Sequence, residues 1–460
     1  MLHKSIRLSF GITMTAIIKP CRFGGIVRVP ASKSHTIRRL LIAALTDGVS
    51  EIEYPLDSLD TRSCLSLCRA MGAEITEKRG SWIVSGLPPH KRSSAVSCDV
   101  GNSGTTLFLG LAAAALGNIP VEFDGDEQIR RRSAAPLLQA LAGLGVSVKA
   151  AHGGCAPITV CGPWKGGRIA LPCPTSQYLS ALLLAAPLAP DGVITEIDIP
   201  LLNEKPYVKM TLSYLDSQSI PYKAVHGSPP HPAFTYFSIS GGKAWKPVFG
   251  PVPADFSSAA FPAAAAVISG GSVTLLGLDP QDTQGDKAFF SFLEKIGCNV
   301  RWESVQKEKA PQEWQLTVSR NGLFVGGEFD LNDMPDLLPA LSAVACYARG
   351  DTSLVNVAHA RIKETDRIAV MAGELGKLGV KTTERPDGLV IHGCGETPLP
   401  LPRSGNAEAL RPIEVDGRGD HRVVMALACA ALGSTQPVEI AGAESEAVTY
   451  PGFLDLLGAS

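Results

Sequence analysis

The alternation of apolar and polar stretches along the chain is periodic. An Ala/Leu-rich helical segment ending in a Gly turn, followed by a short strand, recurs six times. The copies run from Leu40-Leu-Ile-Ala-Ala-Leu to Gly48, Leu109-Gly-Leu-Ala-Ala-Ala to Gly117, and Ala181-Leu-Leu-Leu-Ala-Ala to Gly192. Three more run from Pro262-Ala-Ala-Ala-Ala-Val to Gly271, Leu341-Ser-Ala-Val-Ala to Gly350, and Met425-Ala-Leu-Ala-Cys to Gly433. The turn glycines lie roughly 70 to 85 residues apart, which predicts duplicated units, each helix stopping on a left-handed glycine. A solenoid is the simpler alternative, but its periods run about 20–50 residues.

A second helix ending in Gly and an alternating strand lies midway through most copies, at Met71-Gly, Leu144-Gly, Ile296-Gly and Leu378-Gly. The third copy is degraded around Ser219 and Ile220, and the sixth stops at Leu457-Gly458. The strand near Ala16 to Lys19 is expected to complete that last copy. The main helices are apolar nearly all round and so belong inside, with sheets outside. The expected fold is α/β (α+β): a two-domain inside-out α/β barrel of six βαβαββ-type repeats. Residues 1–31 plus 253–460 form one expected domain and 32–252 the other, with a cleft between them. A chain of 460 residues fits two domains better than one.

Composition narrows the class. Apolar residues make up 45% and charged residues 19%, which fits a compact soluble protein. The net charge of -2 advertises neither nucleic acid nor an anionic membrane, so any anion site must come from local cations. The 11 cysteines are scattered without a CxxC pair and no metal ligand set forms, which suits a reduced cytoplasmic protein. No apolar run suffices for a membrane span. Met1 to Thr13 carries no signal-peptide core and reads as an extension ahead of Met14.

Each main helix is entered through a small, polar or charged segment: Ser32-Lys-Ser-His-Thr-Ile-Arg38, Gly101-Asn-Ser-Gly-Thr-Thr106, Thr175-Ser-Gln177, Asp255-Phe-Ser-Ser258, Met334-Pro-Asp336 and Gly419-Asp-His-Arg422. Helix N-termini attract anions. Ser, Thr and Asp there are also ordinary caps. Lys33, Arg38 and Arg422 are not, because a cation in a first turn opposes the helix dipole; they predict a bound anion. Ser34 and Arg38, at i,i+4, suit a shared carboxylate, and the Gly-rich loop suits a phosphate. Arg361 to Arg367 is expected to open another helix. Lys363 and Arg367 then repel at i,i+4 unless Glu364 and Asp366 pair them.

Pro30-Ala-Ser-Lys-Ser, Gly101-Asn-Ser-Gly-Thr, Thr175-Ser-Gln, Lys205-Pro-Tyr, Gln284-Gly-Asp, Lys363-Glu-Thr-Asp-Arg and Asp420-His-Arg together, and in this order, resemble the EPSP synthases over about residues 16 to 455. The resemblance implies transfer of the enolpyruvyl group of phosphoenolpyruvate to the 5-hydroxyl of shikimate 3-phosphate, in chorismate and aromatic amino acid biosynthesis. It implies two domains joined by crossovers near Ala31 and Pro253, no metal or organic cofactor, small-molecule partners only, and a cytoplasmic monomer. It places Ser34 and Arg38 on the shikimate carboxylate and Thr175 and Ser176 on its phosphate. Gln177 lies beside the ring, with Asp336 and Lys363 on the hydroxyls. Lys33, Gly104, Arg132, Gln177, Arg367 and Arg422 take phosphoenolpyruvate, and Lys33 also meets the acceptor. Lys33, Asp336 and Glu364 are the proton-transfer candidates, with lysine acidity raised by neighbouring cations.

Four positions depart from the family pattern. Phe108 and Gln128 stand where arginines are usual, Val448 where a lysine is, and Glu204 near a usual serine. Arg130, Arg131 and Arg411 are candidates to compensate. Two other readings stay open: an anion-binding descendant without turnover, and a transferase with another acceptor.

Overall fold

The computed structural model describes residues 14–228, 233–305, 313–395 and 412–459; Met1 to Thr13 and Arg411 lie outside them. Each repeat core forms the expected helix: Lys33–Leu45, Gly104–Ala114, Ser176–Ala185, Phe256–Ile268, Leu338–Ala345 and His421–Leu432. Every residue of Gly104–Ala114, Phe256–Ile268 and His421–Leu432 is buried, as an all-round apolar surface requires. Among the described residues the strands form six sheets of three to five strands each. Helices inside and sheets outside is the arrangement observed.

The apolar interior is divided in two. One core runs from Ala16 to Val29 and from Ala254 to Leu457; the other runs from Ile37 to Val252. The strand Thr15–Ile18 pairs antiparallel with Val438–Ala441, Thr15 opposite Ala441 and Ile18 opposite Val438. The strand Gly25–Arg28 pairs parallel with Ser272–Leu276. Two chain crossings lie side by side between the cores. Ser32 N–H donates to Pro253 O at 2.8 Å and Asp255 N–H to Pro30 O at 2.9 Å, flanking an Ala31–Ala254 bridge.

The expected left-handed glycine stops do not end the six main helices: their C-terminal caps are Thr46, Ala115, Ala186, Ser269, Cys346 and Gly433, and Gly433 has a negative φ of -92°. Gly48, Gly192 and Gly350 take positive φ only farther on, Gly350 within the strand Ala348–Val355. Gly271 is required by close approach instead: a Cβ there would lie 1.7 Å from Phe23 O. Arg361 to Arg367 also differs from expectation. Ala358–Ile362 is a 3-10 turn and the helix starts only at Arg367, capped by Asp366, whose side chain accepts from Ala369 N–H. Lys363 and Arg367 therefore share no helix face and go to separate partners. No helix among the described residues is long and apolar enough to cross a membrane.

Candidate active site

The N-terminal ends of all six main helices meet at one cavity of about 580 Å³. Its lining includes Lys33, Ser34, Gly104, Thr175, Ser176, Gln177, Ser257, Asp336 and Arg422. Five of these helices start on side-chain caps, since Ser32, Ser103, Thr175, Asp255 and Asp420 each accept a first-turn N–H. Capping and site-building are thus both true of this polar set. The caps fix the helix starts, and Ser32, Thr175 and Asp255 line the cavity along with their neighbours.

Arg38 is buried at 1% exposure and has no carboxylate partner among the described residues. Its donors go to Thr211 Oγ1 at 2.9 Å, Ser34 O at 3.1 Å, and Ser180 Oγ and Tyr207 O, both at 3.3 Å. Burial lowers its pKa to about 10, with Tyr214 and Tyr207 opposing. A buried cation surrounded by neutral acceptors at a cavity wall is a seat for an incoming anion.

Across the cavity the cations come with carboxylates. Arg367, fully buried, reaches Asp420 at 2.8 Å, Asp336 at 2.7 Å and Glu364 at 2.6 Å. Arg422 Nη2 meets the other Asp336 oxygen at 3.1 Å. Arg132 Nη2 lies 3.4 Å from Glu364 Oε1 and donates to Asn102 Oδ1 at 3.0 Å, leaving its Nε buried and unpartnered. Gln177 Oε1 is likewise buried without a partner. Lys33 Nζ pairs with Asp60 at 2.9 Å.

These pairings set the protonation states. Burial pushes the Glu364 carboxyl up, but Arg367, Arg132 and weaker contributions from His421 and Lys33 outweigh it and hold it well below the usual range. Asp336 is depressed in the same way, burial being overcome by Arg422, Lys363 and Arg367. Lys363 is held between two carboxylates. Burial lowers its pKa, but Glu204 and Asp336 raise it further, so it stays an ammonium. Burial keeps His421 neutral.

Twelve of the thirteen expected site residues line this cavity, namely Lys33, Ser34, Arg38, Gly104, Arg132, Thr175, Ser176, Gln177, Asp336, Lys363, Glu364 and Arg422; Arg367 does not, but sits fully buried behind Asp336 and Glu364. The sequence reading passed over Asp60, Tyr207 and His359, which also line it. Tyr207 stood in the Lys205-Pro-Tyr motif, and its hydroxyl donates to Asp286 Oδ2 at 2.7 Å. Asp60 and His359 gave no signal in the sequence.

Of the departures, Phe108 lines the cavity and packs edge-on against Tyr178. Gln128 accepts from Asn102 Nδ2 at 2.8 Å and donates to Gly419 O at 3.4 Å, linking the two cores. Val448 is buried and absent from the cavity wall. Arg130 is engaged by Asp124 at 2.6 Å on the exposed surface, off the cavity wall, whereas Arg131 pairs with Glu127 at 2.5 Å in an exposed, weak contact and lines the cavity, so of these two it is the one placed to compensate.

The sequence profile of the EPSP synthase (3-phosphoshikimate 1-carboxyvinyltransferase) family matches residues 17–457. The chain belongs to the EPSP synthase family. It is 42% identical over 441 residues to a 3-phosphoshikimate 1-carboxyvinyltransferase of Acetivibrio thermocellus, covering 96% of each chain. A Halobacterium salinarum protein of the same name is 38% identical over 451 residues, covering 96% of this chain and 98% of that one. In structure, this EPSP synthase family member resembles an EPSP synthase from Acinetobacter baumannii with a TM-score of 0.74 at 25% identity, covering 97% and 98% of the two chains.

Proposed function

We propose that this chain transfers the enolpyruvyl group of phosphoenolpyruvate to the 5-hydroxyl of shikimate 3-phosphate, releasing phosphate. The observation that carries the reading is the meeting of Lys33, Arg38, Arg132, Lys363 and Arg422 around one cavity at six helix N-termini, with Arg367 directly behind its wall. The two substrates bring on the order of six negative charges at neutral pH, and only such a cluster offsets them in a closed site.

In this reading Arg38 and Ser34 hold the shikimate carboxylate, and Thr175 and Ser176 hold its phosphate. Gln177 lies beside the ring, and Asp336 and Lys363 engage the hydroxyls. Lys33, Arg132, Arg367 and Arg422 hold phosphoenolpyruvate, with Gly104 leaving room for it. Addition joins the 5-oxygen to C2 of phosphoenolpyruvate while a proton goes to the methylene carbon. Elimination then expels phosphate and removes a proton from the resulting methyl group. Lys33, which meets Asp60 at 2.9 Å, is the candidate proton donor. Glu364 and Asp336, ionised beside the substrates, are the candidate proton acceptors.

Residues 1–31 with 253–460, and 32–252, serve as the two closing domains, hinged at the paired crossings of Ala31 and Ala254. In this reading the enzyme acts as a cytoplasmic monomer. A phosphate-release assay with both substrates tests the proposal. Release that requires both supports it, and no release with shikimate 3-phosphate removes it.

A further inference from the structure

Glu204 is one of the four departures from the family pattern, and its surroundings are unusual for a carboxylate. It is 1% exposed, in a left-handed backbone conformation (φ 57°) that disfavours a residue with a Cβ. Its N–H donates to Asn332 O at 3.2 Å, across the boundary between the cores. So held, Oε2 accepts from Thr175 Oγ1 at 3.1 Å, Ser176 N–H at 3.1 Å and Ser176 Oγ at 2.8 Å. The other oxygen, Oε1, is ion-paired with Lys363 Nζ.

A helix N-terminal N–H, two hydroxyls and an ammonium form a cradle for a tetrahedral oxyanion. They include the donors that the proposed function assigns to the acceptor's phosphate. A carboxylate and a phosphate cannot both use them, and their like charges in a buried site repel strongly. The Glu204–Lys363 pair also joins the two cores, as a bridging phosphate would.

Resting on the proposed function, we infer that Glu204 is a displaceable internal stand-in for the acceptor's phosphate. It fills the phosphate subsite of the empty enzyme and lowers the affinity for phosphorylated acceptor until it gives up Thr175, Ser176 and Lys363. Glu204 thereby sets how strongly this enzyme discriminates between a phosphorylated and an unphosphorylated ring.

The test is calorimetric binding of shikimate 3-phosphate and of unphosphorylated shikimate to the full-length wild type, Glu204→Ser and Glu204→Gln. Both variants should bind shikimate 3-phosphate about tenfold or more tightly than wild type, with shikimate affinity nearly unchanged. Unchanged or weaker binding of shikimate 3-phosphate by the variants overturns the inference, as does equal tightening for both ligands. Glu204→Gln keeps the side-chain shape and decides the matter should Glu204→Ser fail to fold. Wild-type turnover is measured in parallel: its absence removes the proposed function itself, whereas turnover without tightening removes only the stand-in.

Discussion

Arg367 and Asp420 are both fully buried and meet Nε to Oδ2 at 2.8 Å, at the base of the cavity. Asp420 has a second task, because its Oδ1 accepts from Arg422 N–H at 2.9 Å and caps the helix His421–Leu432. Asp420→Ala leaves Arg367 under-compensated and uncaps the helix, and a broken buried pair costs about 3–5 kcal/mol. Asp420→Asn keeps an acceptor for the cap and should cost less. Thermal denaturation of both variants is expected to rank them wild type, Asn, Ala in falling Tm. Equal Tm for all three would show that the pair contributes nothing net.

Arg38 presents the opposite case. It has no acidic partner among the described residues, and burial lowers its pKa to about 10. Under the proposed function this charge is kept to bind the acceptor's carboxylate, at a cost in stability. Arg38→Met fills similar volume without the charge. Its Tm should stay level or rise, while the KM for shikimate 3-phosphate rises about a hundredfold, the loss of a bidentate charged contact. A large fall in Tm would make Arg38 a structural residue.

The six-fold helical plan was legible because Ala/Leu segments apolar all round have only one place to go, and each is introduced by polar residues. The same residues were ambiguous as to role. Ser32, Thr175 and Asp255 cap and also line the cavity together with Lys33, Ser176 and Ser257 beside them, so a capping role does not exclude a role in the site. Glu204 was recognisable only as an odd residue near the phosphate. Its grip on Lys363, 159 positions away, depends on a left-handed backbone that no local pattern announced. Asp60 was overlooked because it reads as a routine first-turn acid of the helix Leu59–Ala70, where the fold turns it onto Lys33. The helix reading of Lys363 to Asp366 failed because Asp366 caps the helix later than periodicity suggests.

Asp286 predicts a pH effect. Burial and the neighbouring Asp336 charge raise its pKa from 3.8 to about 6, against the pull of Arg422. A carboxyl raised on folding stabilises fully below its unfolded value, and that contribution is lost as pH rises through the folded value. The rise from 3.8 to about 6 amounts to at most roughly 3 kcal/mol. Asp286→Asn carries no charge and still accepts from the Tyr207 hydroxyl. The variant should therefore gain in Tm over wild type as pH climbs from about 4 to 6, with the difference level above that. A difference that is constant across this range would rule out Asp286 as its source.

Gly104 predicts selective damage to one substrate. A Cβ at this position would stand 2.6 Å from Arg132 Nη1 and 3.6 Å from Phe108 Cε2. The first contact is too close, and the group that yields is the end of a long flexible side chain, so the fold survives. The guanidinium must then shift from Asn102 Oδ1 and Glu364, which hold it at 3.0 and 3.4 Å. Gly104→Ala should raise the KM for phosphoenolpyruvate about tenfold, from a misplaced charged contact, and leave the KM for shikimate 3-phosphate and the Tm nearly unchanged. Since the effect runs through Arg132, adding Gly104→Ala to Arg132→Ala should cost almost nothing more. Steady-state kinetics on the two single variants and the double variant measure this directly. Additive losses, or equal rises in both KM values, would mean that the methyl group acts by another route than the displaced arginine.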